Sequence, residues 1–259
     1  MTISPNKWEL DVQGYLNVCN ISDATPRQQI RDFAKGVNDL GLWNSMVCWP
    51  LRSSQNAATG NTMFSLGGLG AFNGTMVNTP TRGADGMVFV AASNTHITTA
   101  FTVGPTPKFT LWAVGSSSAA TGAIVAAWGA TTATSFAIVR KHSANRYAYL
   151  TRSSAATNNA VGSNGSVSGF ASLGLGTQGA NTLGTVNGVL DTTIASLPDE
   201  SGTQSVNIGI QTPATASVPY DGTISFALGY TAEDGLTTAQ QLLLHTLYKS
   251  TLGTGLGLP

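Results

Sequence analysis

The residues able to do chemistry are few and scattered. Three glutamates (Glu9, Glu200 and Glu233) and three histidines (His96, His142 and His245) stand among 259 residues. No histidine has a second histidine or a cysteine at metal-ligand spacing. Asp85, Asp191, Asp221 and Asp234 fall among turn-forming residues, and calcium wants six to eight oxygens from converging carboxylates and carbonyls. Asp-Gly is first a turn signal, so these four are expected at turns rather than around an ion. Gly165-Ser166-Val167-Ser168-Gly169 has valine where a nucleophile elbow needs serine. Gly174-Leu175-Gly176-Thr177-Gln178-Gly179 has phosphate-loop spacing, but a strand-forming segment follows it, not a helix. The residues therefore lead us to expect no cofactor, no metal and no enzyme.

One stretch concentrates charge. Arg140, Lys141, Arg146 and Arg152 are four of the twelve basic residues, within thirteen positions that also hold His142, Tyr147 and Tyr149. Two readings fit. Arg140, Lys141, Arg146, Tyr147, Tyr149 and Arg152 could form a hairpin that meets an acidic partner or a sugar, with the aromatic rings on sugar faces. Alternatively, the hairpin is solvated and its tyrosines face the core.

Whatever these residues do, the elements around them must hold them. Charged residues are only 9% of the chain, and twelve acids balance twelve bases, against roughly 25% charged in ordinary soluble domains. A neutral chain exerts no long-range pull on phosphate, which argues against nucleic acid. The apolar runs are too short for a spanning helix, so membrane insertion is not expected. A hydrophobic fraction of 42% excludes a disordered chain. Near-zero net charge favours association, so neighbours are expected to cover much of the surface. The start lacks the charged and apolar regions of a signal peptide. Cys19 and Cys48 are too few for a disulfide framework and are expected as reduced, partly buried thiols.

Residues 1–24 are weakly patterned. A helix is expected over 25–41, capped by Thr25 with Gln28, with Pro26 in the first turn and Ile30, Phe33, Val37 and Leu40 on one face. From Leu42 to about Gly235, short β-branched and aromatic runs alternate with glycine and asparagine turns, the grammar of a sandwich or jelly roll. Strands are expected at 86–91, 109–116, 123–128, 135–141, 146–151, 181–186, 189–195, 205–210 and 222–230. Asn187-Gly188 marks a tight hairpin, and 153–180 reads as long loops with one weak strand. A second capping box, Thr237 with Gln240, opens a closing helix over 237–249. The tail 253–259 is expected to be flexible unless something pins it.

Several segments, in order, resemble the concanavalin A-like, laminin-G-like lectin/glucanase superfamily: Thr185-Val186-Asn187-Gly188-Val189, Val206-Asn207-Ile208-Gly209, Tyr220 to Tyr230, Leu236 to Gln240, and Phe109 to Val114. The likeness spans roughly 85–250. It implies an all-β fold: a two-sheet antiparallel β-sandwich (concanavalin-like jelly roll) with an N-terminal amphipathic helix and a short C-terminal helix. The expected division is an extension, 1–60, and a sandwich, 61–259. Glucanases of this superfamily set Glu-x-Asp-x-Glu along a strand. Here Glu9-Leu10-Asp11 comes nearest, with Gln13 in the third place. The layout further resembles sandwich proteins carried on bacteriophage virions. That implies a particle component (head decoration, head fibre or tail-associated), folded in the bacterial host cytoplasm. Its expected partners are other virion proteins and copies of itself, in a trimer. The alternative is a carbohydrate-binding module recognising host-surface glycans.

Overall fold

The structure is a computed structural model that describes residues 6–57, 59–104, 108–116, 121–128, 135–142, 146–153, 156–165, 169–198, 202–211, 218–232 and 234–259. Along 135–142, 153, 156–159 and 164–165 the description is of the backbone alone.

Sixteen strands among these residues form two eight-stranded sheets, and every pairing is antiparallel. The first sheet holds β1 (Met46–Pro50), β4 (Thr81–Arg82), β5 (Met87–Phe89), β7 (Phe109–Ser116), β12 (Phe170–Gln178), β13 (Asn181–Val186), β14 (Val189–Ile194) and β16 (Gly222–Thr231). Its order is β14-β13-β12-β7-β16-β5-β4, with β1 also on β16. The second sheet holds β2 (Thr62–Met63), β3 (Gly74–Val77), β6 (His96–Val103), β8 (Gly122–Trp128), β9 (Ser135–His142), β10 (Arg146–Ser153), β11 (Ala156–Gly165) and β15 (Gln204–Ile208). Its order is β11-β10-β9-β8-β15-β6-β3-β2. The all-β sandwich expected from the sequence is the fold observed. β1 lies on the N-terminal side of the division placed at residue 60, yet pairs along its length with β16.

Strand periodicity explains why β7 and β16 read as unbroken apolar runs. Successive side chains point to opposite faces, and both faces of the first sheet are covered. Leu111 and Ala113 enter the core between the sheets, with Phe101, Ile208, Tyr149 and Ile224. Trp112, Val114, Phe226 and Leu228 point the other way, into a second core built with the helices. There Phe226 meets Tyr248 with ring centroids 4.9 Å apart, Phe33 at 5.4 Å and Trp112 at 5.7 Å.

Three helices make that second layer: α1 (Lys7–Val18), α2 (Ala24–Asp39) and α3 (Thr238–Ser250). α1 arises where only a weakly patterned lead-in was expected. Its first turn is closed by Glu9, whose Oε2 accepts from the Asn6 amide at 2.7 Å. Val12, Tyr15 and Leu16 are buried while Leu10 and Val18 are exposed, which blurs the apolar stripe. α2 begins earlier than expected: Asp23, not Thr25, is the cap, accepting from the Thr25 amide at 2.9 Å. Pro26 then sits within the first turn, where its missing N–H costs nothing. In α3 the expected capping box of Thr237 with Gln240 is formed. No helix among the described residues is long and apolar enough to cross a membrane.

The stretch 153–180 is corrected from long loops to two strands, β11 and β12. Its small residues have a physical reason. A Cβ on Gly174 would lie 2.0 Å from Gln241 Oε1, and one on Gly176 would lie 2.5 Å from Thr110 Oγ1. Glycine lets α3 and β7 approach β12 closely. The phosphate-loop spacing Gly174–Gly179 thus falls on a strand and its turn. The tail is also corrected: Leu256 and Leu258 are buried, and Arg52 donates to the carbonyls of Leu252 (3.0 Å) and Thr254 (2.9 Å). Asn187 (φ 51°) and Gly188 (φ 77°) form the expected β13–β14 turn, where positive φ at both residues suits asparagine and glycine.

Candidate functional site

β9 and β10 form a hairpin in the second sheet, with Arg146 opposite His142, Tyr147 opposite Lys141 and Ala148 opposite Arg140. β8 continues the ladder on the far side of β9, with Ala123 opposite Arg140 and Gly122 opposite Lys141. The hairpin therefore carries all six residues singled out in the sequence. The side chains of Arg140 and Lys141 lie outside the described residues.

Alternation along β10 divides the other four. Tyr147 and Tyr149 point into the intersheet core and are buried. Tyr149 crosses the sandwich: its ring lies against Gly184 of β13, where a Cβ would come within 2.7 Å. Its hydroxyl sits 3.0 Å from the Thr185 carbonyl and 3.1 Å from Asp191 Oδ2. Burial first, and then the Asp191 charge, pushes the Tyr149 phenol well above its ordinary range. It is a proton donor at every physiological pH. Asp191 lies within β14 and is buried, not at the turn expected for it.

The even-numbered residues of β10 face away from the core. Ala148 and Leu150 join Ala123, Ala126 and Trp128 of β8 in a small apolar cluster of their own. Arg146 is exposed at one end of this strip. At the other, the Arg152 guanidinium lies over the Trp128 ring, 4.4 Å from its centroid. Six residues of extended strand separate the two arginines, a span of about 20 Å. A guanidinium on an indole face is held by the ring quadrupole, a contact worth about 0.5–1 kcal/mol at an exposed site.

Two other groups bear on chemistry. Ser172 Oγ and His245 Nδ1 are 2.9 Å apart and buried, with His245 Nε2 3.1 Å from the Pro259 oxygen. That oxygen can only accept, so Nε2 carries the proton and Nδ1 accepts from Ser172. The pair ties α3, β12 and the tail together. Glu9 and Asp11 lie on α1, not on a strand, with Glu9 spent on the helix cap and Asp11 accepting from Trp43 Nε1 at 2.9 Å. Among the described residues, no three His, Cys, Asp or Glu side chains converge to hold a metal. Cys19 and Cys48 are buried free thiols.

No protein-family model matches the chain, and no curated protein sequence matches it. Solved structures do. A Trypanosoma rangeli sialidase in complex with 2,3-difluorosialic acid, as a covalent intermediate, is similar with a TM-score of 0.59 at 15% identity, over 96% of this chain and 38% of that one. A mutant of Trypanosoma rangeli sialidase displaying trans-sialidase activity gives 0.58 at 15% identity, over 88% and 39%. The same sialidase in complex with sialic acid gives 0.57 at 15% identity, over 88% and 39%. The chain spans about two fifths of the length of these sialidases. At such identity the likeness shows the fold alone. The expectation that the chain is no enzyme is corrected, because solved structures that share this fold include sialidases.

Proposed function

We propose that this protein binds glycans, and that the outward face of β8–β10 takes carboxylated sugars. The observation that carries this is the Arg152 guanidinium lying over the Trp128 ring, with exposed Arg146 on the same strand face. A stacked arginine gives up little freedom when it grips a carboxylate through two parallel hydrogen bonds. The second arginine, about 20 Å along the strand, suits an acidic chain of several sugars better than one monosaccharide. The sialidases of like fold include one in complex with sialic acid, itself a carboxylated sugar. The basic face is this chain's own support for that ligand class. Composition alone, 9% charged with no net charge, supports a setting on a phage particle, where such a face would meet host-surface glycans. A peptide census of purified particles tests that setting.

The binding is tested on an array of paired sialylated and asialo glycans. The native protein should be retained on the sialylated members, and a variant with Arg146→Ala and Arg152→Ala should lose that retention while melting at a similar temperature. Equal retention on both members of each pair would refute the proposal.

A further inference from the structure

A separate cleft of about 380 Å³ opens between α1 and the loop running from Phe64 to Asn73. Its size lies within the roughly 300–1,000 Å³ of small-molecule sites. One side is apolar: Leu10 and Val18 of α1 are 57% and 54% exposed, and Phe64 and Tyr15 line the interior. The other side is polar and pre-set. Asn73 Oδ1 accepts from the Ser65 amide (3.0 Å) and hydroxyl (3.3 Å), and Ser65 Oγ in turn accepts from the Phe72 amide (2.8 Å). With Oδ1 so engaged, the Asn73 amide NH2 is a fixed donor. Asp11, which lines the same cleft, has its Oδ2 held by Lys7 Nζ (2.7 Å) and Trp43 Nε1 (2.9 Å). That fixes the orientation of Oδ1, for which the chain supplies no hydrogen-bond donor among the described residues.

We propose that this cleft is a second binding site, for an uncharged sugar residue. Each sugar hydroxyl both donates and accepts, and neighbouring hydroxyls are matched by one fixed acceptor and one fixed donor. The carbon face of the ring has Phe64 and the open aliphatic side chains to cover it. Asp11 is the only carboxylate among the described residues that line the cleft, none of those lining residues is a cation, and Asp11 is paired with Lys7. Among the lining residues a carboxylated sugar finds no cation to pair with. The two sites therefore divide sugars by charge, and this one stands independently of the hairpin face.

Gly14 supplies the test. It lines the cleft in mid-helix, and a Cβ there would meet nothing within 4 Å. Gly14→Leu therefore adds an apolar side chain to the cleft lining from an unobstructed Cβ and improves helix propensity. Amide NMR spectra are recorded with maltotriose, cellotriose, mannotriose and 3′-sialyllactose at millimolar concentration. At least one neutral trisaccharide should shift resonances in 10–18 and 64–73, with affinity weakened about tenfold or more by Gly14→Leu. The same binding should survive the Arg146→Ala, Arg152→Ala variant. Asn73→Asp, which keeps the acceptor and replaces the donor, should weaken it as well. No cleft shifts with any neutral probe, shifts only with sialyllactose, or neutral-sugar binding indifferent to Gly14→Leu would each overturn the proposal.

Discussion

The tyrosines and arginines of β10 alternate, and the alternation separates two jobs. Arg146 and Arg152 face outward, while Tyr147 and Tyr149 are fillers of the core. Tyr149 also satisfies a buried carboxylate, since its hydroxyl reaches Asp191. Replacing it with phenylalanine keeps the ring over Gly184 but removes that donor. A hydrogen bond to a charged group contributes about 1.5–3 kcal/mol, so Tyr149→Phe should lower urea-unfolding stability by that order. Its acidic-sugar affinity should match the native protein, because the ring never reaches the binding face. A variant that binds less while unfolding normally would place Tyr149 on the wrong side of the sheet. The charge cluster and its two alternative uses were legible from residue types alone. The stack on Trp128 was not, because it joins residues two strands apart and depends on the register of β8 with β9.

Among elements, β12 and α3 show how composition can mislead. A run rich in glycine, serine and alanine reads as loop, yet β12 is a central strand whose small residues admit a helix. Gly176→Ala would place a methyl 2.5 Å from Thr110 Oγ1. Such overpacking costs about 1–3 kcal/mol, and the drop should appear as a lower melting temperature with sheet content retained. A loop would tolerate the change. The capping box of α3 and the Asn-Gly turn were legible because each is a local backbone device. α1 and the pinned tail were hidden because they depend on contacts distant in sequence, such as Arg52 with Leu252 and Tyr15 with the Gln55 carbonyl at 2.7 Å. His245 links α3 to that tail, and burial pushes its imidazole below the ordinary value near 6.5. The sign follows from linkage: the unfolded chain takes up a proton near pH 6.5 that the folded chain resists. The His245 contribution is therefore complete above that pH and is lost as pH falls through the lowered native value. Urea titrations should show stability declining from about pH 6.5 downward, and His245→Gln should flatten that decline. A variant with an unchanged acid limb would remove His245 as its source.

For the whole molecule, the first sheet is the keel, covered on one face by the second sheet and on the other by the helices. That burial leaves the outward face of the second sheet and the α1 cleft among the places open to ligands. The fold is shared with sialidases at 15% identity, so the function must be argued from these two places. The central claim is that the β8–β10 face grips carboxylated sugars through arginine, and calorimetric titration with an oligomer of sialic acid tests it most directly. Binding by the native protein should weaken as salt rises, as charge pairing on an open surface requires, and should fall at least about tenfold in a natively folded Arg146→Ala, Arg152→Ala variant. Binding of equal strength by that variant, or no binding by the native protein at low salt, would contradict the account.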